Sequence, residues 1–142
     1  MSVTDISTGI KARVVSLQAT SKELEYGLDV SKNKFRATYT GYAVVPEDIR
    51  QTTGALSTFT VDQLFTVKLA RSFGPDKTGD QAQLVAANTL YQEMYDLCKS
   101  LVTTKPHAGV LLVSEVEVGK VQLSATMVTL TATLKIKYRQ AL

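Results

Sequence analysis

The residue types that most often do chemistry are scarce in this sequence. It contains a single histidine, His107, and a single cysteine, Cys98. A nucleophile needs a neighbouring base that activates it, and no Gly-x-Ser-x-Gly motif or similar arrangement is present. These two residues are also too few for a usual zinc site. The sequence therefore predicts no catalytic residue, no bound metal ion and no cofactor.

Two pairs of carboxylates have a spacing that would suit joint action. Glu23 and Glu25 form one pair, and Glu115 and Glu117 form the other. Residues two apart on a strand share one face, where two carboxylates can do acid–base chemistry or hold a metal ion. On strands of a protein with a positive net charge, such pairs more often face solvent or form salt bridges. We interpret them as surface residues.

Composition and charge predict one folded, soluble domain over residues 1–142. Hydrophobic residues make up 44% of the chain, which is ordinary for a globular protein, and the net charge is only +3. The lysines and arginines are scattered, whereas dedicated nucleic-acid binders cluster them. The first residues do not have the pattern of an export signal, and no apolar run approaches the roughly twenty residues that cross a bilayer.

Two segments have the apolar spacing of amphipathic helices. The first covers residues 4–19, and its apolar positions are Ile6, Ile10, Val14 and Leu17. The second covers residues 80–102, where Asp80 and Gln83 form a capping-box-like pair. Its buried stripe is predicted to contain Leu84, Ala87, Tyr91, Met94, Cys98 and Leu101, widened by Leu90 and Leu97.

The rest of the chain alternates apolar and polar residues, as half-buried strands do. This pattern predicts a hairpin from residues 23–28 and 35–44, and strands over residues 59–73 and 110–118. Pro46 should end the second hairpin strand, because proline cannot donate to a ladder. Residues 46–57 would then form a long loop or hairpin arm. The predicted class is α+β, an antiparallel or mixed β-sheet with two helices packed on one face.

The last β segment changes the parity of its apolar residues. They are at odd positions from Val121 to Met127 and at even positions from Leu130 to Tyr138. A change of parity turns every side chain to the other face unless a residue is absorbed, so we expect a bulge or short turn near Val128. Such a bend would let the strand serve the core first and then a second surface for a neighbouring subunit.

The order of these elements, with a final alternating strand from Thr131 to Arg139, resembles that of bacteriophage tail terminator proteins. These small neck proteins cap the tail tube and join it to the head connector. The resemblance implies a virion protein, assembled in the host cytoplasm, that forms a homohexameric ring. Its partners would be copies of itself, the tail tube protein and the head-side connector. DNA would pass through the lumen without sequence-specific binding, and no membrane would be involved.

Candidate assembly residues follow from the arm and the last strand. They are Pro46, Glu47, Asp48, Ile49, Arg50, Gln51, Lys135, Lys137 and Arg139. Three alternatives remain open at this point. The chain could be another tail or neck component, such as a tail tube or head-completion protein. It could be a small adaptor that binds nucleic acid, or an enzyme of an unfamiliar type.

Overall fold

A computed structural model describes residues 3–17, 22–23, 40–54, 58–72, 80–123 and 127–141. The elements in chain order are helix α1 (Val3–Leu17), strands β1 (Lys22–Glu23), β2 (Thr40–Gly54) and β3 (Thr58–Ser72), helix α2 (Asp80–Thr103), and strands β4 (Val110–Val118), β5 (Gln122–Leu123) and β6 (Met127–Ala141). The predicted α+β class, with helices on a sheet, is confirmed.

The described strands form one mixed sheet with β6 near its centre. Strand order is β1-β2-β3-β6-β4, and the short β5 also pairs with β6. β1 runs parallel to β2, and the other pairs are antiparallel. β3 and β6 pair along their whole length without a register shift. β6 is therefore hydrogen-bonded on both sides, whereas β4 ends the sheet as described.

The core lies between the two helices and one face of the sheet. α1 contacts β2 and α2, and α2 contacts β3, β4 and β6. On β6 the even-numbered side chains from Leu130 to Tyr138 are almost completely buried. Phe65 and Leu69 of β3 lie opposite them in the same core. The period of two in the sequence thus places one apolar face under the helices.

The end of α2 is fixed by α1. The guanidinium of Arg13 donates to the carbonyl oxygen and to the hydroxyl of Ser100, at 2.8 Å each, and to the carbonyl oxygen of Thr104 at 2.9 Å. The Ser100 carbonyl oxygen also accepts from the N–H of Thr104 at 2.9 Å, so Arg13 adds a second bond there and gives the Thr104 carbonyl, just past the end of α2, a partner. Gly9 faces the same junction. A Cβ atom there would lie 2.3 Å from the carbonyl oxygen of Pro106.

A buried polar chain connects three strands. The hydroxyl of Tyr138 donates to Oε1 of Gln63 at 2.7 Å. Nε2 of Gln63 donates to the backbone oxygen of Glu47 at 2.9 Å. Glu47 lies in an irregular stretch of β2, where the pairing with β3 shifts between Pro46 and Ile49 and again between Ile49 and Gln51. The amide of Gln63 thus supplies a partner to a carbonyl at this irregularity.

The prediction that Pro46 ends a strand was wrong. β2 continues through it to Gly54, so the arm interpretation of residues 46–54 is correct and the loop interpretation is not. The two register shifts absorb the stretch that contains the proline, since proline is tolerated in sheets at bulges and edges. Residues 55–57 lie outside the described part of the chain.

The bulge expected near Val128 is also absent from β6. Pairing with β3 continues without a shift from Met127 to Ala141. The parity changes because β5 and β6 are separate strands, paired antiparallel through Leu123 and Val128. The expected second surface on β6 is therefore wrong as well. Leu130, Leu134 and Ile136 are buried within the single chain, with exposures of 1%, 0% and 0%.

Three apolar faces differ in detail from the prediction. In α1, Leu17 is exposed, and in α2 the exposed residues include Leu84 and Tyr91 while Ala86 is buried. The stripe of α2 is thus centred on Leu90, Met94, Leu97 and Leu101. In β4, strict alternation predicts one face with Val110, Leu112, Val116 and Val118. Register shifts instead turn Val113 to the core side with Val110, and Leu112 to the other side. Spacing gave the correct elements, but bulges and helix rotation decided which residues are buried.

The hairpin predicted from residues 23–28 and 35–44 falls mostly outside the described residues. Its described residues pair in parallel and not antiparallel as in a hairpin, since Lys22 and Glu23 run parallel to Gly41 and Tyr42. Glu23 forms an ion pair with Lys11 at 2.7 Å, as expected for a surface carboxylate.

We predict that Gly9→Ala destabilises the fold. In an open helix this change stabilises by roughly 0.5–1 kcal/mol. Here the new methyl group would overlap the Pro106 carbonyl, so we expect a loss of about 1–3 kcal/mol in the free energy of unfolding. Urea denaturation measures the difference. Thr8→Ala, at an exposed neighbouring position, is the control and should not destabilise. A stabilised Gly9→Ala variant would contradict this close contact.

We predict that Tyr138→Phe costs about 1–3 kcal/mol in the free energy of unfolding, because Oε1 of Gln63 loses its donor in a buried site. Tyr95→Phe removes the same atom from an exposed ring and serves as the matched control. Denaturant titrations of both variants measure the effect. Equal stability of the two variants would show that this buried hydrogen bond contributes nothing.

Candidate functional site

An apolar groove lies between α2 and the edge strand β4. Its volume is about 810 Å³. The lining residues are Asn88, Tyr91, Gln92, Tyr95, Cys98, Lys99, Val102, Thr103, Val116, Val118 and Gly119. Several of these side chains are large, apolar and exposed, including Tyr95 at 61% and Val102 at 53%. Contiguous exposed apolar surface of this kind commonly marks a protein interaction site.

Local sequence explains both walls of the groove. The side of α2 away from the core carries Tyr91, Tyr95 and Val102 at spacings of four and seven, so they share one stripe. On β4, Val116 and Val118 pair with core-facing residues of β6 and therefore point to the helix side of the sheet. The helix does not cover them. The hydroxyl of Tyr91 accepts a hydrogen bond from the backbone N–H of Val121 at 3.1 Å, which fixes one end of the groove.

The strand beside the groove offers a sheet edge. Register shifts interrupt β4 between Val110 and Leu112 and between Val113 and Glu115. From Glu115 to Val118 the pairing with β6 is regular. In the described part of the chain no strand pairs with β4 on its other side. Such an edge has unpaired N–H and C=O groups that a further strand can use.

The other face of the sheet has a polar depression next to the same edge. Its volume is about 520 Å³, and it is lined by Arg50, Leu64, Glu115, Glu117, Thr133 and Lys135. Glu115 lies opposite Lys135 in the ladder, and Glu117 lies opposite Thr133. Both glutamates are exposed, and neither forms a salt bridge to another described residue. The carboxylate pair predicted as surface residues therefore flanks the edge of β4.

The residues predicted as an assembly interface lie on two strands, β2 and β6, which β3 separates. Pro46 to Arg50 are exposed along the irregular stretch of β2, and the side chain of Gln51 is outside the description. Arg139 is exposed, whereas Lys135 and Lys137 are half-buried on a central strand. Nζ of Lys137 lies 4.0 Å from a carboxylate oxygen of Asp62, which is buried. Arg50 and Lys135 both line the polar depression, and Gln51 is level with Lys137 across Asp62 of β3.

Cys98 and His107 both contribute to the fold, Cys98 through burial and His107 through hydrogen bonds to the backbone. Cys98 is buried at the floor of the groove, and burial raises the pKa of its thiol from 9.0 to about 11. Nδ1 of His107 accepts from the backbone N–H of Gly109 at 3.1 Å, and the His107 carbonyl oxygen accepts from the N–H of Val110 at 3.0 Å. These bonds stabilise the turn that leads into β4.

No group of His, Cys, Asp and Glu side chains in the described ranges is arranged to hold a metal ion. None of the helices described is both long enough and apolar enough to pass through a membrane.

No protein-family model matches this chain, and no curated protein sequence matches it. The fold and the geometry of its surfaces are therefore the structural basis for proposing a function.

Sequence reasoning missed the groove. It placed Tyr91 in the core and did not consider Tyr95, and it assigned Val116 and Val118 to an ordinary strand face. A signal was present, because α2 has more apolar residues than one buried stripe can hold. The surplus residues Leu84, Val85, Tyr91, Tyr95 and Val102 are all exposed.

We predict that Cys98 reacts slowly with thiol reagents in the folded protein. The thiolate is the reactive form, and a pKa near 11 leaves about a hundredfold less of it at pH 8 than a pKa of 9.0 does. The raised pKa also means that the neutral thiol contributes to stability below its unfolded pKa, and that this contribution is lost as the pH rises towards 11. Alkylation rates of the folded and urea-unfolded protein between pH 7 and about 10.5 measure the reactivity, and urea denaturation over the same pH range measures the change in stability. A rate that levels off near pH 9 in the folded state would contradict the shift.

Proposed function

We propose that this protein is a structural subunit that assembles with copies of itself into a ring. As a tail terminator, this ring would cap the tail tube of a bacteriophage, stop its growth and join it to the head-side connector. The observation that carries the assembly proposal is the regular edge of β4, Glu115–Val118, beside the apolar groove. A sheet edge next to exposed apolar side chains can receive a strand through ladder hydrogen bonds and side-chain packing.

The charge at this edge favours a head-to-tail contact. Symmetric pairing of two β4 edges would bring the Glu115 and Glu117 carboxylates of both copies close together. Like charges directly opposite each other destabilise a strand pair. The edge therefore suits a different surface of the next subunit. Such heterologous contacts generate a closed ring when the rotation between subunits closes.

The particular role in a phage neck is supported by the resemblance in element order and in the final strand from Thr131 to Arg139. The expected homohexamer and its placement in the virion belong to the same proposal. The exposed stretch Pro46–Arg50 belongs to β2, which β3 and β6 separate from β4, and of its residues Arg50 reaches the polar depression that Glu115 and Glu117 also line. We assign it to contact with the tube or the connector, which leaves the β4 edge to the neighbouring subunit.

We predict that the purified protein forms a ring whose mass is a multiple of the subunit mass, and that Tyr95→Ser weakens this assembly. Tyr95 is largely exposed in the single chain, so the change should leave the free energy of unfolding nearly unchanged. Loss of a buried aromatic at an interface often costs about 2 kcal/mol or more of binding energy. Native mass spectrometry and sedimentation velocity measure the assembly, and Tyr95→Phe is the matched control.

Electron microscopy with the tail tube protein tests the role itself. Tubes grown with the wild-type protein should carry a ring at one end and stop lengthening. A protein that stays monomeric at high concentration and does not bind tubes would contradict the proposal. If such a monomer binds DNA with a steep dependence on salt, the nucleic-acid adaptor becomes the better hypothesis.

A further inference from the structure

The groove between α2 and β4 has the size and the lining of a small-molecule site. Its volume of about 810 Å³ falls within the range of roughly 300–1,000 Å³ that is usual for ligand pockets. The rings of Tyr91 and Tyr95 and the side chains of Val102 and Val116 give it an apolar lining. A molecule with a linear hydrocarbon chain can lie along α2 and remove these side chains from water.

The charge at the groove is positive. Among the described residues that line it, only Lys99 is charged, and Lys99 is exposed without a salt bridge to another described residue. The carboxylate of Asp96, one turn earlier on α2, accepts a hydrogen bond from Nε2 of Gln92 at 3.0 Å. Glu115 and Glu117 line the depression on the opposite face of the sheet. The groove lining therefore offers a cation and no carboxylate.

A second lysine lies at the end of the groove where β4 leads into β5. Gly119 lines the groove, and the N–H of Val121 donates to the hydroxyl of Tyr91 at 3.1 Å. Lys120 stands between these two residues and is exposed. Its ammonium group adds to the positive potential around the groove, and such a potential attracts anions.

The lining thus combines an apolar wall with a cation that can reach water. A lysine side chain can lay its methylene groups on an apolar surface and keep its ammonium group solvated. A ligand that matches Lys99 in this position has an apolar chain and an anionic head. The head stays at the edge of the groove, so it pairs with the ammonium group and retains part of its hydration.

We propose that the groove binds an anionic amphiphile, namely a long-chain carboxylate. Its chain lies against Tyr95, Val102 and Val116, and its carboxylate pairs with Lys99. This inference goes beyond the proposed ring, because it concerns a ligand of the single subunit. It also has a consequence for the ring. Tyr95 and Val102 serve both contacts, so the ligand and the neighbouring subunit compete for the groove.

Calorimetric titration of the full-length protein with decanoate, below the concentration at which it forms micelles, tests the site. Wild-type protein at several concentrations should bind decanoate. Dodecanoate should bind at least about fourfold more tightly and octanoate at least about fourfold more weakly, because each buried methylene group adds affinity. The uncharged analogue 1-decanol should bind about two- to fivefold more weakly than decanoate, and decyltrimethylammonium more weakly still.

Reversing the charge of Lys99 separates pairing with the head from simple apolar contact. Lys99→Glu should bind decyltrimethylammonium more tightly than decanoate, which is the reverse of the wild-type order. Arg139→Glu is the matched control. It makes the same change in net charge at an exposed position on the other face of the sheet, so the wild-type order should persist. Thermal unfolding of both variants checks that the fold is retained.

Three results would overturn the ligand assignment. They are no binding of decanoate at any protein concentration, equal binding of decanoate and 1-decanol, and an unchanged order in Lys99→Glu. Either of the last two would leave the groove as an apolar contact for another protein surface.

Sedimentation velocity with and without decanoate distinguishes this inference from the proposed ring. If both are correct, decanoate shifts the ring towards single subunits. A chain that is monomeric both alone and with tail tubes, but binds decanoate in the expected order, supports the ligand site and contradicts the ring. A ring that forms while decanoate does not bind supports the ring and contradicts the ligand site.

Discussion

The structure depends on the position of β6 between β3 and β4. Its even-numbered residues from Leu130 to Tyr138 are buried under the helices, and its backbone is paired on both sides. β6 follows the other described strands in sequence and pairs with both β3 and β4, so much of the sheet can form only when β6 is in place. Such non-local pairing slows folding, because loops must close before the contacts form. It also means that growth of the sheet into an assembly can occur only at its edges.

The sequence was sufficient to predict most elements, because periodicity reports burial directly. α2, β3 and β4 have nearly the predicted bounds, and Phe65, Val67 and Leu69 alternate as expected. Errors arose where a bulge or a break between strands changed which sequence positions face the core. Pro46 was taken as the end of a strand because its missing N–H was considered alone, without the bulges that accommodate it. For the parity change before Leu130, the predicted bulge is absent, whereas the alternative of a turn agrees with the antiparallel pairing of β5 and β6 through Leu123 and Val128.

The candidate site was less predictable than the fold for a different reason. A side chain such as Tyr95 or Val116 belongs to a groove only through the distance between two elements that are remote in sequence. Apolar periodicity indicates that a helix has a buried face, but it does not reveal a second apolar face that is left uncovered. The acidic pair Glu115 and Glu117 was visible in the sequence. Its position at a sheet edge depended on the strand order, which local patterns do not determine.

The contact between Arg13 and the end of α2 has a consequence for binding at a distance. Val102 and Thr103, which line the groove, belong to the helical turn whose carbonyls Arg13 holds through Ser100 and Thr104. A wall that is already ordered loses little conformational freedom when a partner arrives, so less of the contact energy is spent on ordering. α1 itself does not line the groove. By holding the end of α2 in place before a partner arrives, α1 lowers the conformational entropy that the groove wall would lose on binding. It does so from the opposite side of the helix pair.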